Sequence, residues 1–231
     1  MAEVPLAALK ALSREMDSLG IPYVFTGGSI VGLLLDEPEA TVMRPTDDVD
    51  IIVEILSHKE YSRFEEQLRA LGFSHDIREG APKCRWTYRN LTVDTMPVEG
   101  AFLGLNTVWF DHALSNPTKT EVDGQILSVI SATSFLATKL AAFSDRGERD
   151  FFGSHDIEDI LTVIDGRKSI VEEIRNADLE LRTYLVDTFR NFLKNPQFQE
   201  ALPGHLPPDA GSQARLPNLQ EKINRIAALK N

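Results

Sequence analysis

Hydrophobic residues near the start of the chain recur first at helical spacing and then at strand spacing. Apolar side chains from Leu6 to Leu19 return every three or four positions, which predicts an amphipathic helix ending before Gly20. The run Tyr23–Thr26 is short and β-prone and predicts a strand. Gly27–Ser29 predicts a turn, and the apolar run Ile30–Leu35 predicts a buried helix after it.

The pattern then mixes strands with one further helix. A loop over residues 36–45 leads into a strand over residues 47–53, and helical spacing returns from about Ser57 to Leu71. Further β-prone stretches lie at Phe73–Ile77, at Cys84–Tyr88, at Leu91–Met96 and on both sides of the Asp123-Gly124 turn. The first half therefore predicts a mixed sheet with helices.

From Ser131 onward the spacing is helical. Helices are predicted at Ser131–Ser144, Ser154–Ile164, Ser169–Arg175 and Leu179–Leu193. Pro203–Pro217 is rich in proline, glycine and polar residues and predicts a loop before a last short helix. We predict an α+β fold, in which a small mixed β-sheet core with helices on one side occupies residues 1–130. A helical C-terminal domain over residues 131–231 would close a cleft.

Composition narrows the class of protein. With 231 residues, 42% of them hydrophobic, the chain can bury a substantial core. It has neither an apolar run of membrane-spanning length nor a secretory leader, so we expect a cytoplasmic protein with no membrane partner. The single cysteine, Cys84, excludes an intramolecular disulfide. A net charge of −11 argues against a broad basic surface for nucleic acid.

Three aspartates in strand patterns are the candidate chemistry. Side chains alternate along a strand, so Asp48 and Asp50 share one face while Val49 and Ile51 point into the core. Two adjacent carboxylates suit Mg²⁺, which takes one or two carboxylates together with substrate phosphates. Asp94, within the strand Leu91–Met96, would be the further ligand that two-metal phosphoryl transfer needs. The alternative is that all three are solvent-exposed turn and strand residues.

The glycine turn is the candidate phosphate site. Gly27 and Gly28 let the backbone approach a ligand closely, and Ser29 offers a hydroxyl at the start of the next helix. A tight strand-to-helix turn without a ligand is the alternative.

In combination these motifs resemble the polymerase-β-like nucleotidyltransferase superfamily. The residues that carry the resemblance are Gly27-Gly28-Ser29, Arg44-Pro45-Thr46-Asp47-Asp48-Val49-Asp50-Ile51 and the later Asp94. The arrangement from Arg44 to Asp50 looks most like the AbiEii/MNT-type toxins of bacterial toxin–antitoxin systems. The spacing between Gly28 and Asp48 is longer than in minimal members and implies an insertion over residues 36–43.

The resemblance implies an activity and its ligands. It implies transfer of a nucleoside monophosphate from an NTP such as ATP, with Asp48, Asp50 and Asp94 binding Mg²⁺ or Mn²⁺ and Asp94 assisting deprotonation of the acceptor. Nucleotide contacts are implied for Gly27, Gly28, Ser29, Arg44, Thr46 and Lys139. The acceptor could be a tRNA end, a protein hydroxyl or a small molecule such as an antibiotic, and a cognate antitoxin could be a partner. A non-catalytic nucleotide-binding module is the rival from another class.

Two further groups of charged and polar residues could act together with these motifs. Asp156 and Asp159 are expected to fall off the buried face of their helix and could position Lys139 or an arginine. On another predicted strand, Lys83, Arg85, Thr87 and Arg89 share one face and could guide a phosphate, or could be a solvated sheet face.

Overall fold

A computed structural model describes residues 6–38, 44–146 and 150–230. The chain forms two compact units. The first comprises residues 1–30 and 44–131, and the second comprises residues 31–43 and 132–231. Within the described residues, every helix is too short or too polar to cross a membrane.

The first unit is built on a seven-stranded mixed sheet. Its strands are β1 (Tyr23–Thr26), β2 (Asp48–Val53), β3 (Ser74–His75), β4 (Arg85–Tyr88), β5 (Leu91–Pro97), β6 (Thr118–Val122) and β7 (Gln125–Val129). They lie in the order β3-β4-β5-β2-β1-β7-β6. The pairs β2–β5 and β1–β7 are parallel, and the other neighbouring pairs are antiparallel.

Helices accompany this sheet. They are α1 (Leu6–Leu19), α2 (His58–Ala70), α3 (Phe110–Ser115) and two 3-10 helices at Gly28–Leu34 and Ala101–Leu103, the first of which runs on into residues of the second unit. Val49, Ile51 and Val53 alternate with the aspartates of β2 and are fully buried, as the strand periodicity predicted. Ser57 caps α2 by accepting a hydrogen bond from the Glu60 backbone N–H. The opposite face of β2 carries Asp48 and Asp50, followed by the buried Ile52.

The second unit is helical in its described residues. Its helices are α4 (Ala132–Asp145), α5 (His155–Gly166), α6 (Ile170–Asn176), α7 (Leu179–Leu193), α8 (Pro196–Ala201), α9 (Ala210–Gln213) and α10 (Leu216–Ala227), with a 3-10 helix at Leu202–His205. The core of this unit is formed where α4 packs on α5 and α7, and α10 packs on α5 and α7. Most of its buried side chains are apolar, among them Phe135, Leu140, Ile160, Leu185 and Ile223.

The observed elements confirm the α+β prediction, while two local expectations differ from the structure and two short helices were not predicted. Ile30–Leu35 was expected to start a buried helix, and the structure has a 3-10 helix with buried side chains that begins earlier, at Gly28–Leu34. Pro203–Pro217 was expected to be a loop, yet it contains α9 and the start of α10, where Pro217 occupies the first helical turn and needs no backbone donor. The short helices α3 and α8 were missed because six residues are too few to display a period. Of the expected insertion, residues 39–43 lie outside the described residues.

Candidate active site

Four neighbouring strands of the first unit place one polar residue each in a single row across the sheet. Thr26 of β1 is in register with Asp50 of β2, Asp50 is in register with Asp94 of β5, and Asp94 is in register with Arg85 of β4. Asp48 lies two residues before Asp50 and on the same face. Because direct partners on one face have their Cβ atoms about 5 Å apart, three carboxylates and a guanidinium meet here.

The two carboxylates of β2 each lie against a neighbour in the first unit. The Thr46 hydroxyl donates a 2.5 Å hydrogen bond to Asp48 Oδ1, and Thr46 itself is buried. Asp50 lies against the glycine turn: a Cβ atom added at Gly27 would stand 1.8 Å from Asp50 Oδ2. A methyl group therefore cannot occupy position 27 while Asp50 keeps this position.

The glycine turn brings backbone and side chains to the same place. Gly27 has φ +78°, a conformation that favours glycine. A Cβ atom at Gly28 would stand 2.7 Å from Nη2 of Arg44, so the Arg44 guanidinium lies directly over the turn. The Ser29 Oγ atom is buried and has no hydrogen-bond partner within the part of the chain that the structure describes. The turn thus offers a hydroxyl and a guanidinium beside the carboxylates.

Asp94 is bound by Arg85. Arg85 Nε donates to Asp94 Oδ1 at 2.8 Å and Arg85 Nη2 donates to Asp94 Oδ2 at 2.6 Å, a bidentate pair with a buried carboxylate. The same Nη2 atom lies 3.7 Å from Asp48 Oδ2. The hydrogen bonds to Asp94, opposed by burial and reinforced by the charges of Asp94, Asp48 and Asp50, raise the pKa of Arg85 above its usual range. Arg85 is therefore a fixed cation between two of the carboxylates.

The donor set of Asp48 and Asp50 fits a divalent cation. Both offer carboxylate oxygens, which Mg²⁺ prefers, and the Asp48 side chain is 35% exposed, so water and phosphate oxygens can complete an octahedron. Over residues 6–38, 44–146 and 150–230, no group of three or more His, Cys, Asp and Glu side chains is arranged to hold a metal ion. That Asp94 is also a ligand stays a prediction, since the partner it has here is Arg85.

In the second unit, Lys139 of α4 is paired with two carboxylates of α5. Lys139 Nζ lies 3.2 Å from Asp156 Oδ1 and 2.7 Å from Asp159 Oδ2, and Arg146 Nη1 lies 2.7 Å from Asp156 Oδ2. Asp156 and Asp159 are buried, so the expectation that they fall off the buried face of α5 was wrong. The two cations offset the cost of burying those carboxylates. Ser154 caps the helix by accepting a hydrogen bond from the Ile157 backbone N–H.

Most of the predicted site residues meet in the first unit. The sheet and the glycine turn bring together Asp48, Asp50, Asp94, Gly27, Gly28, Ser29, Arg44 and Thr46. Lys139 belongs to the second unit. The role of Arg85 was missed, because it was considered only as one member of a basic strip. That strip is shorter than predicted, since Lys83 and Arg89 lie outside β4 and only Arg85 and Thr87 share its face.

Comparison with known proteins identifies the fold. No family model matches the sequence, and no curated protein matches it either. A crystal structure of an antigenic nucleotidyltransferase-like protein from Paracoccidioides brasiliensis superposes with a TM-score of 0.54 at 22% identity, covering 84% of this chain and 90% of that one. The chain therefore has the fold of a nucleotidyltransferase-like protein.

Two more distant structures also align. JHP933 from Helicobacter pylori gives a TM-score of 0.48 at 13% identity, over 95% of this chain and 88% of that one. The antibiotic-resistance factor ANT(2'')-Ia gives 0.46 at 12% identity, over 83% of this chain and 96% of that one.

Proposed function

We propose that this protein is a Mg²⁺-dependent nucleotidyltransferase that moves a nucleoside monophosphate from an NTP to an acceptor hydroxyl. The observation that carries the proposal is the approach of Asp50 to Gly27, where a Cβ atom would stand 1.8 Å from the carboxylate. It joins an acidic pair on β2 to a backbone turn, which is the combination of groups that an NTP with a divalent cation requires. The nucleotidyltransferase-like fold is consistent with it.

The chemistry follows from these groups. The acceptor oxygen forms a bond to the α-phosphorus, the bond from that phosphorus to the oxygen bridging the β-phosphorus breaks, and pyrophosphate leaves while the hydroxyl proton passes to solvent. Bound to Asp48 and Asp50, Mg²⁺ or Mn²⁺ would neutralise phosphate charge as a Lewis acid. Thr46 fixes the orientation of Asp48 through its 2.5 Å hydrogen bond. This orientation is set before substrate binds, so no reorganisation is needed during the reaction.

Cationic and hydroxyl groups are assigned to the triphosphate. Two observations support assigning Ser29 and Arg44 to phosphate oxygens: Ser29 Oγ is buried with no hydrogen-bond partner among the described residues, and the Arg44 guanidinium lies over Gly28. Lys139 is assigned to the triphosphate by the superfamily resemblance, with Asp156 and Asp159 fixing its ammonium group.

The acceptor is the finer part of the proposal. A tRNA end, as in AbiEii/MNT-type toxin–antitoxin systems, is the first candidate because of the motif resemblance, and a cognate antitoxin would then be a partner. The net charge of −11 favours the second candidate, a small molecule, since such an acceptor needs no broad basic surface. A protein hydroxyl is the third.

The test is label transfer from each of the four α-³²P-labelled NTPs, with Mg²⁺, to total tRNA, to a protein extract and to a panel of hydroxyl-bearing antibiotics. Asp48→Asn and Asp50→Asn should each reduce transfer by about a thousandfold, because each loses a charged oxygen ligand. Asp47→Asn is the matched control, since Asp47 is the exposed neighbouring acid. It should retain transfer.

Absence of transfer with every NTP and acceptor, or equal transfer by the wild type and the Asp48 and Asp50 variants, would refute the enzymatic proposal. Equilibrium binding of an NTP that is never consumed would instead support the rival, a non-catalytic nucleotide-binding module.

A further inference from the structure

The third carboxylate of the site is already neutralised by the chain itself. Both oxygens of Asp94 accept hydrogen bonds from Arg85, at 2.8 and 2.6 Å, and Asp94 is only 7% exposed. A divalent cation that took Asp94 as a ligand would have to displace a bidentate guanidinium from a buried partner. A guanidinium stays protonated in proteins, so Arg85 cannot release Asp94 to the cation by losing a proton.

The charges of the site point the same way. Asp48, Asp50 and Asp94 carry three negative charges, Arg85 pairs with Asp94, and the Arg44 guanidinium lies over the glycine turn that Asp50 contacts. The negative charge that these two guanidinium groups leave is smaller than the charge of one divalent cation. A second would bring two more positive charges next to a guanidinium that lies 3.7 Å from Asp48.

Arg85 also has capacity left for a ligand. Its Nε and Nη2 atoms are used by Asp94, whereas its Nη1 atom has no hydrogen-bond partner among the described residues. The side chain is 24% exposed. A guanidinium held on one edge by a carboxylate can present its other edge to a phosphate oxygen in a fixed orientation.

We propose that Arg85 supplies the positive charge for which a second divalent cation is otherwise needed, so that this site takes one divalent cation, on Asp48 and Asp50. Asp94 is then the positioning residue for Arg85. This inference rests on the proposed nucleotidyl transfer. It gives Asp94, the third carboxylate of the site, a role other than that of a metal ligand.

The experiment counts bound cations. Mn²⁺ is titrated into the 231-residue chain with α,β-methylene ATP, and in parallel with the GTP, CTP and UTP counterparts, and free Mn²⁺ is followed by electron paramagnetic resonance against a titration of each analogue alone. We expect one tightly bound Mn²⁺ per chain in the wild type and still one in Asp94→Asn. We expect none in Asp50→Asn.

The outcomes separate this inference from the proposed function. Two Mn²⁺ per chain in the wild type, or the loss of one in Asp94→Asn, would overturn the role of Arg85 and leave nucleotidyl transfer standing. No bound Mn²⁺ with any of the four analogues would overturn both. Because the wild-type count needs no variant, a misfolded substitution cannot obscure the result.

A second readout tests Arg85 directly. Arg85→Met should reduce label transfer about a hundredfold, since it removes a preorganised cation, and Arg85→Lys should restore part of the rate. Arg89→Met is the matched control, because Arg89 follows the same strand with a side chain that is 69% exposed. An unchanged rate in Arg85→Met, or an equal loss in Arg89→Met, would overturn the proposal.

Discussion

Gly27 lies directly against the Asp50 carboxylate in the candidate site. Two constraints act on it together, a φ of +78° and the Oδ2 atom of Asp50 at the place where a Cβ would lie. Gly124, in the turn between β6 and β7, has the same φ of +78° but has nothing within 4 Å of an added Cβ. Alanine substitutions at Gly27 and at Gly124 therefore separate the effect of backbone strain from the effect of displacing Asp50.

We expect Gly27→Ala to weaken Mn²⁺ binding in the presence of an NTP analogue by about tenfold or more, because Asp50 must move to admit the methyl group. Gly27→Ala and Gly124→Ala should both lower the free energy of unfolding, by about 1 to 2 kcal/mol for the strained φ alone. Only Gly27→Ala should weaken the binding of Mn²⁺. Urea unfolding measures the loss of stability, and Mn²⁺ titration measures cation binding. Equal Mn²⁺ affinities of Gly27→Ala and the wild type would contradict a role for Asp50 as a cation ligand.

Cys84, the only cysteine of the chain, predicts a dependence of stability on alkaline pH. Burial, followed by the charges of Asp94 and Asp50, raises the pKa of the Cys84 thiol from 9.0 to about 12. The unfolded chain therefore loses this proton at a lower pH than the folded chain. The contribution of the neutral thiol to stability is complete below pH 9 and is lost as the pH rises toward 12.

From about pH 8 to about pH 10, the wild type should lose about 1.4 kcal/mol more of its unfolding free energy than Cys84→Ala loses. Urea unfolding of both proteins at the two pH values measures the difference, and the tyrosines, common to both, cancel. Parallel pH profiles would show that the folded thiol ionises as readily as the unfolded one.

Among the elements, the β4–β5 hairpin shows what periodicity alone leaves out. Arg89 and Asn90 both have positive φ, 45° and 67°, and form a two-residue turn. Counting outward from that turn pairs Arg85 with Asp94, so the sequence did contain the signal. It was weak because neither residue is glycine, whereas the Asp123-Gly124 turn has the favoured composition and was predicted.

Periodicity predicted most long elements of both units, because a long amphipathic stretch repeats its pattern several times. It could not predict partners between elements. The burial of Asp156 and Asp159 depends on Lys139 in another helix, and nothing in the spacing along α5 reveals that cation. Similarly, the parallel pairing of β2 with β5 is a contact between distant parts of the chain.

The C-terminal end of α5 is held by a side chain of α10. Lys222 is buried, and its Nζ atom donates to the carbonyl oxygens of Ile164, Asp165 and Arg167 at 2.8, 2.7 and 3.2 Å. These carbonyls lie where an α-helix runs out of its own donors. Burial, partly offset by Asp165 and Asp36, lowers the pKa of Lys222.

Lys222→Met should therefore lower the free energy of unfolding by about 2 to 3 kcal/mol, since it leaves these carbonyls without their charged donor. Lys230→Met, at an exposed lysine near the same end of the chain, should change it by less than about 0.5 kcal/mol. Chemical denaturation measures both. If Lys222→Met left the free energy of unfolding unchanged, water would be replacing the ammonium group at no cost.

At the scale of the whole molecule, the two units are not consecutive halves of the chain. Residues 31–43 follow β1 in sequence but belong with the helices of the second unit. Arg167 Nη1 donates to the Leu34 carbonyl at 2.7 Å, the Asp36 N–H donates to the Gly166 carbonyl at 3.2 Å, and the Lys168 N–H donates to Asp36 Oδ2 at 2.7 Å. The chain thus passes between the units three times.

We expect Asp36→Ala to raise hydrogen exchange over residues 166–176 by about fivefold or more, because the Lys168 N–H loses its acceptor. Exchange in β2 and β5 of the first unit should be unchanged. Asp187→Ala, which removes an exposed partner of Arg190, is the control. Peptide-level hydrogen–deuterium exchange makes the measurement, and protection that is lost equally in both units would contradict a local effect.

The ion pair between Arg85 and Asp94 also bears on the order in which the first unit assembles. The two residues are nine positions apart in one hairpin, so we expect their contact to form early, on the microsecond timescale of local folding. Asp48 and Asp50 join β5 only when a parallel pairing closes a loop of more than thirty residues, which we expect to be slower. In that order, the carboxylate that faces Asp50 is neutralised before β2 pairs with β5. The sheet then needs no cation from solution to bring its acids together.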